Sequence, residues 1–449
     1  MQTGTPTAQW SSRLAFTMAA IGSSVGLGNL WRFSAEAGAN GGGAFIGVYL
    51  LCVALIAIPA LMSEFLVGRA GRAGSAINSV RDLAERSEVS GFWSSGVWVG
   101  LLAGFLIVSF YSVVAAWVMA YIPKFVTGYF DGQTPTEVAA EFGTLISSPT
   151  DLLVWFLIFA GLTIWLVARG VNRGLEMASK ILMPMFFVLL LALGIFSMVT
   201  AWESGGTREA LEFMFTPDPS KLTIDVIVSA LGQAFFSLGP GMAIMVAYGS
   251  YLPRSISIPR SAVVVGTCDT AVALLAGCAI FPIVFQHGLD FQAGAGLFFQ
   301  TLPTALISTP GGNLLGAAFF SMAFFAALTS AISLLEPSVA HVCESFKISK
   351  ARAALMVGAG MVALGIGCLY SLSLLDFLDQ GLTAPIMLPL SALLIVLFVG
   401  WRLNRVVLAD QLDEGDKRLG GFLLFMVRYP APLIISLILV FSTYDRYFG

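Results

Sequence analysis

The residues able to do chemistry in this chain are few, and they stand in apolar surroundings. Asp269 lies within GTCDTAVALLAG, a run with no water to solvate a carboxylate. An acid at such depth is costly unless it serves an ion, a proton or a polar ligand. Residues 22–33, GSSVGLGNLWRF, place Gly22, Gly26, Gly28, two serines, Asn29 and Arg32 in a second apolar run. Residues 235–242, FFSLGPGM, place Gly239, Pro240 and Gly241 in a third. Proline removes a donor and clashes with the preceding turn, and glycine weakens a helix. Both stretches therefore break a helix at mid-membrane depth. Freed carbonyls and amides are tolerated there only where they face a ligand, ions or water. A half-helix N-terminus attracts an anion, and free carbonyls attract cations. The chemistry is recognition of charged small ligands.

Bond-making chemistry has no support. The chain has no HExxH, no serine-centred elbow and no paired catalytic acids, so no catalytic residue is expected. GLGNLW lacks the third glycine and the strand–helix setting of a nucleotide loop. Cys52, Cys268, Cys278, Cys343 and Cys368 fit no zinc or disulfide spacing. His287 and His341 are too far apart for a histidine metal site.

Membrane spans must hold these residues in place. Of 449 residues, 57% are hydrophobic and 11% charged, against about 25% charged in a soluble domain. Eleven apolar runs reach spanning length: residues 12–37, 43–67, 93–124, 150–168, 176–200, 223–251, 261–287, 313–342, 351–370, 375–400 and 429–446. The first lacks a charged n-region and a small-residue cleavage site, so no cleaved signal peptide is expected. Lys and Arg concentrate in alternate connections, for example Arg69, Arg72, Arg81 and Arg86, then Arg169, Arg173 and Lys180. The opposite connections hold Lys124, Arg208 and Lys221 among many acids. This bias predicts a cytoplasmic N-terminus and, with an odd number of spans, an outer C-terminus. The net charge of −3 points to no partner, and no nucleic acid is expected. The expected fold is an all-α membrane protein whose breaks fall in spans 1 and 6. Those are corresponding places in a five-plus-five arrangement, a pointer to a transporter site.

WSSRLAFTMAAIGSSVGLGNLWRF at 10–33, NGGGAF at 40–45, GQAFFSLGPG at 232–241 and ALTSAISLLEP at 327–337 resemble the neurotransmitter:sodium symporter family. The resemblance runs over nearly the whole chain and is strongest to the short, eleven-span bacterial branch. It implies one leucine-transporter-like domain over 1–449. Residues 12–200 and 223–400 would form the inverted repeats, followed by span 11 at 429–446. It also implies two sodium ions and an amino-acid substrate. For the second sodium it implies the carbonyls of Gly22, Val25 and Ala326 and the hydroxyls of Thr329 and Ser330. For the first it implies the Ser24 carbonyl, the Asn29 side chain, the carbonyl and hydroxyl of Ser237, and Asp269. The substrate carboxylate would complete that shell.

Relatives that carry monoamines have an aspartate where this chain has Gly26. A ligand reaching the amides of Leu27 and Gly28 should therefore bring its own carboxylate, met by the Tyr111 hydroxyl. Its ammonium would meet carbonyls of Ser24, Phe236 and Ser237. Ile107, Tyr111, Phe236, Gly239, Met242, Ser330 and Leu334 would line an uncharged pocket, suited to a neutral hydrophobic or aromatic L-amino acid. Chloride-dependent relatives carry a serine where Ala273 stands. The fixed charge of Asp269 is therefore expected to make chloride unnecessary.

The resemblance pairs Arg32 with Asp379 as an outer gate above Phe236, with Glu36 a local rival four residues on. Glu344 takes the place of the inner acid, but its usual basic partner is replaced by Thr7. Arg13 is a weak substitute. Glu64 in SEFLVGR is expected to bond freed backbone. The expected mechanism is sodium-driven import by alternating access across an inner (plasma) membrane, spans 1, 2, 6 and 7 rocking against the rest. A monomer suffices for it. A proton-coupled carrier using Asp269 and a non-transporting amino-acid sensor on the same fold are the alternatives.

Overall fold

The computed structural model describes residues 9–72, 75–289, 295–412 and 416–448, excepting the side chains of residues 445 and 448. Every regular element among them is helical. Among the described residues nine continuous helices are long and apolar enough to cross a bilayer, and the pair Arg13–Ser24 and Gly28–Ala39, bent by 56°, adds a tenth. Span 6 is the second broken pair, Ile224–Leu238 and Ile244–Ser250. Ten of the eleven expected spans are thus present among the described residues, and the sixth is two shorter helices on either side of its break. Short helices at Ala76–Arg86, Pro135–Ile146 and Gly206–Phe215 lie in the connections.

The breaks occur where the sequence places them. Val25 leaves helical geometry at φ −71, ψ 109. In span 6, Gly239 and Gly241 adopt φ +64 and +91, which glycine enters without steric cost. Ala243 closes that break at φ +59, a left-handed placement that costs an alanine about 1–2 kcal/mol.

Span 11 begins earlier than expected. Its apolar helix runs from Lys417 to Tyr444, as Lys417–Arg428 followed by Pro430–Phe448. Arg428 does not end it, because its guanidinium donates to the Gly400 carbonyl at 2.9 Å and lies 5.5 Å over the Trp401 ring. Pro430 sits at the start of the second helix, where its missing N–H is not needed.

Span 2, Gly43–Gly71, presses backbone to backbone on the second half of span 6. A Cβ at Gly68 would collide with the Val246 carbonyl, and one at Gly249 would lie 2.7 Å from the Phe65 carbonyl. Gly68→Ala is therefore expected to destabilise the protein by about 1–3 kcal/mol through overpacking. A thermal unfolding scan in detergent should show a lower midpoint for it than for Gly47→Ala, since a Cβ at Gly47 meets nothing within 4 Å. Equal midpoints would show that the interface yields.

Candidate functional site

The two breaks face one another across a central cavity between spans 1, 3, 6 and 8. All twelve residues expected at the substrate border it, together with Ser23, Asn29, Leu238, Ile244 and Met245. The empty space within this lining, its mouth included, is about 510 Å³. No lining side chain carries a charge. At one end the Leu27 N–H donates to the Tyr111 hydroxyl at 3.3 Å. Gly26 lets Ser330 and Tyr111 approach the backbone closely, for a Cβ there would lie 2.9 Å from Ser330 Oγ and 3.2 Å from the Tyr111 hydroxyl. Ile107, Phe236, Met242 and Leu334 supply the apolar walls.

One polar group lies behind the break of span 1. Asn29 and Asp269 are wholly buried, and Ser237 and Ser24 nearly so. The Asn29 NH₂ donates to Asp269 Oδ1 at 2.8 Å and to Ser237 Oγ at 2.9 Å. The Ser237 hydroxyl donates to Asp269 Oδ2 at 2.6 Å. Asn29 Oδ1 accepts the Gly26 N–H at 3.1 Å, which caps the break. Ser24 Oγ lies 3.5 Å from the Leu238 carbonyl, so spans 1 and 6 meet here. This donor set offers a carboxylate, hydroxyls and, after a half-turn of the Asn29 amide, a further oxygen. It suits a small hard cation.

A second group joins span 1 to span 8. Ser330 Oγ contacts the carbonyls of Gly22 at 3.4 Å and Val25 at 3.1 Å. The Thr329 hydroxyl donates to the Ala326 and Phe325 carbonyls, both at 3.1 Å. A Cβ at Gly22 would touch Thr329 Cβ at 3.3 Å. Ser330 thus brings its hydroxyl to two freed carbonyls of span 1, while the Thr329 hydroxyl is bonded to carbonyls of its own helix.

The expected outer pair is not formed: among the described residues no ion pair joins Arg32 to Asp379. Arg32 Nε lies 3.9 Å from Glu36 Oε1, and its guanidinium sits 4.3 Å over the Phe236 ring. Glu36 wins because it is one turn away and already fixed, accepting from Ser229 at 2.6 Å and Asn40 at 3.2 Å. Asp379 Oδ2 accepts from Gln380 at 2.8 Å, while its buried Oδ1 has no hydrogen-bond partner. Asp376 pairs with Arg446 at 3.0 Å.

At the opposite end, Glu344 Oε2 has no hydrogen-bond partner. Thr7 lies outside the described residues. Arg13 is exposed and joins no carboxylate among the described residues. Glu64 accepts the Gly241 N–H at 2.5 Å and faces the amides of Met245 and Val246. It thus caps freed backbone of span 6. Sequence reasoning missed Gln233, whose side chain donates to the Gly28 carbonyl at 3.2 Å. Its signal was a polar residue one turn before Ser237 on the same helix face.

The profile of the Sodium:neurotransmitter symporter family matches residues 7–135 and 141–447. An uncharacterised sodium-dependent transporter of Bacillus subtilis, YhdH, is 35% identical over 443 residues, covering 96% of both chains. Another, from Haemophilus influenzae, is 31% identical over 457 residues, covering 96% of this chain and 97% of its own. The crystal structure of MhsT in complex with L-phenylalanine superposes with a TM-score of 0.86 at 39% identity, covering 97% of this chain and 99% of that one. Two broken helices border one uncharged cavity, as a carrier requires. The chain belongs to the Sodium:neurotransmitter symporter family, whose members are secondary transporters and not enzymes.

Proposed function

We propose that this protein imports a neutral hydrophobic or aromatic L-amino acid, driven by sodium and independent of chloride. The observation that carries the reading is Gly26. It brings no side chain and no charge to the end of the cavity that holds the Leu27 amide and the Tyr111 hydroxyl, and no wall of the cavity is charged. A ligand carboxylate fits there, and its side chain meets Ile107, Phe236, Met242 and Leu334. The likeness to MhsT bound to L-phenylalanine supports the same substrate class.

The substrate carboxylate would share the first sodium with Asn29, Ser237 and Asp269, so each ligand completes the other's site. The second sodium would bridge spans 1 and 8 through Gly22, Val25, Ala326, Thr329 and Ser330. Occupation of both favours closure above the substrate, with Phe236 and Arg32 moving together and Arg32 passing from Glu36 to Asp379. Spans 1, 2, 6 and 7 then rock and open the cytoplasmic end, which is the end carrying Trp10. Proton coupling through Asp269 is the rival reading. Both Asp269 oxygens accept from donors, an arrangement that suits a carboxylate and favours sodium.

The test is uptake into proteoliposomes of labelled L-phenylalanine, L-leucine, L-lysine and L-glutamate, with and without an inward sodium gradient. The expected result is at least tenfold stimulation for the first two and none for the charged pair. Uptake that ignores sodium but follows a pH gradient would establish the proton reading. Binding without accumulation would establish a sensor.

A further inference from the structure

The Glu344 position lacks an ionic partner among the described residues, yet Trp10 at this end is buried against Tyr248 and Tyr251. We propose that Glu176, at the start of span 5, closes this end, with Ser11 as its partner on the N-terminal arm. The Ser11 N–H donates to Glu176 Oε2 at 3.1 Å, and the Ser11 hydroxyl donates to Glu176 Oε1. Lys180 Nζ lies 2.6 Å from Glu176 Oε1 and 3.1 Å from Ser11 Oγ. Asn172 donates to Glu176 Oε2 at 3.2 Å and to the Gln9 carbonyl at 3.1 Å. Glu176 is 4% exposed, and these four donors use the whole accepting capacity of a carboxylate.

The placement of the contacts makes this a latch. Trp10 binds the arm to span 6, its indole N–H donating to the Tyr248 carbonyl at 3.1 Å and its backbone N–H to the Tyr251 carbonyl at 3.3 Å. Spans 1 and 6 lie on the moving side in the proposed rocking, so Trp10 travels with them. Span 5 stays. The bonds from Ser11 to Glu176 and Lys180, and from Asn172 to Gln9, therefore cross the boundary that must part. Asn172 and Lys180 stand one turn before and after Glu176 on its own helix. When the arm leaves, they remain and keep the carboxylate compensated. A buried acid without such neighbours would resist opening, whereas Glu176 can release and rebind its partner.

Spin labels at Leu14 and Ile181, both more than half exposed, report the separation of spans 1 and 5 by pulsed electron resonance. The chain is placed in liposomes with its five free cysteines replaced by alanine. Glu176→Gln is expected to raise the long-distance population at least threefold. Ser11→Ala, a change at an exposed site, should raise it by a smaller factor, and Glu176→Asp should restore much of the parent distribution. Glu344→Gln should change nothing. A shift produced by Glu344→Gln, or parent-like distances in both Glu176→Gln and Ser11→Ala, would overturn the assignment. The distances require no substrate, so they stand apart from the amino-acid reading.

Discussion

Asp269→Asn is expected to raise the sodium concentration for half-maximal uptake by about 100-fold or more. The residue is wholly buried, and its two oxygens already gather the Asn29 amide and the Ser237 hydroxyl. It supplies the one formal charge among the protein groups proposed for the two sodium sites. Removing one partner of a buried ion pair costs about 3–5 kcal/mol, and each 1.4 kcal/mol is about tenfold in affinity. Because the substrate carboxylate shares this sodium, substrate affinity must fall with it. Linkage requires the coupling to be reciprocal. Sodium titration of L-phenylalanine binding, with thermal midpoints to confirm folding, measures both effects. An unchanged sodium midpoint would remove Asp269 from the site. The same carboxylate makes a separate anion unnecessary, so uptake by the parent protein should be unaffected when gluconate replaces chloride. Abolished uptake in gluconate would overturn that part of the reading.

Local rules made the fold legible. Apolar runs near spanning length gave the helices, and the glycines and proline at 239–241 gave a break that no regular helix accommodates. The cavity was legible through motifs, since GSSVGLGN and GQAFFSLGPG set backbone groups at fixed spacing. The gates depend on pairings that no spacing displays. Arg32 prefers Glu36 because Ser229, 193 residues from Glu36, fixes that carboxylate. Ser11 and Glu176 are 165 residues apart, and each is unremarkable in its own segment. Arg428 looked like the boundary of span 11 because its carbonyl partner lies 28 residues earlier. Side chains that choose between nearby partners are settled by tertiary packing, and a single sequence does not record that packing.

Gly26→Ala should weaken L-phenylalanine binding by about 10- to 100-fold while leaving the fold intact. The backbone at Gly26 lies outside the left-handed region, so alanine introduces no conformational strain there. Its methyl would lie 2.9 Å from Ser330 Oγ and 3.2 Å from the Tyr111 hydroxyl. One hydroxyl belongs to the proposed second sodium site, the other to the proposed carboxylate anchor, and neither can stay where it is. Loss of a hydrogen bond to a charged group costs about 1.5–3 kcal/mol, which sets that range. Gly26→Asp extends the argument from space to charge. Its carboxylate would occupy the place proposed for the ligand's own, repelling L-phenylalanine and attracting an amine that has no carboxylate. The variant should therefore lose L-phenylalanine and gain 2-phenylethylamine as a competitor. Displacement of a labelled ligand by each compound, compared between parent and variant, measures the exchange. If Gly26→Ala binds L-phenylalanine as the parent does, the carboxylate lies elsewhere and only the apolar walls select the substrate.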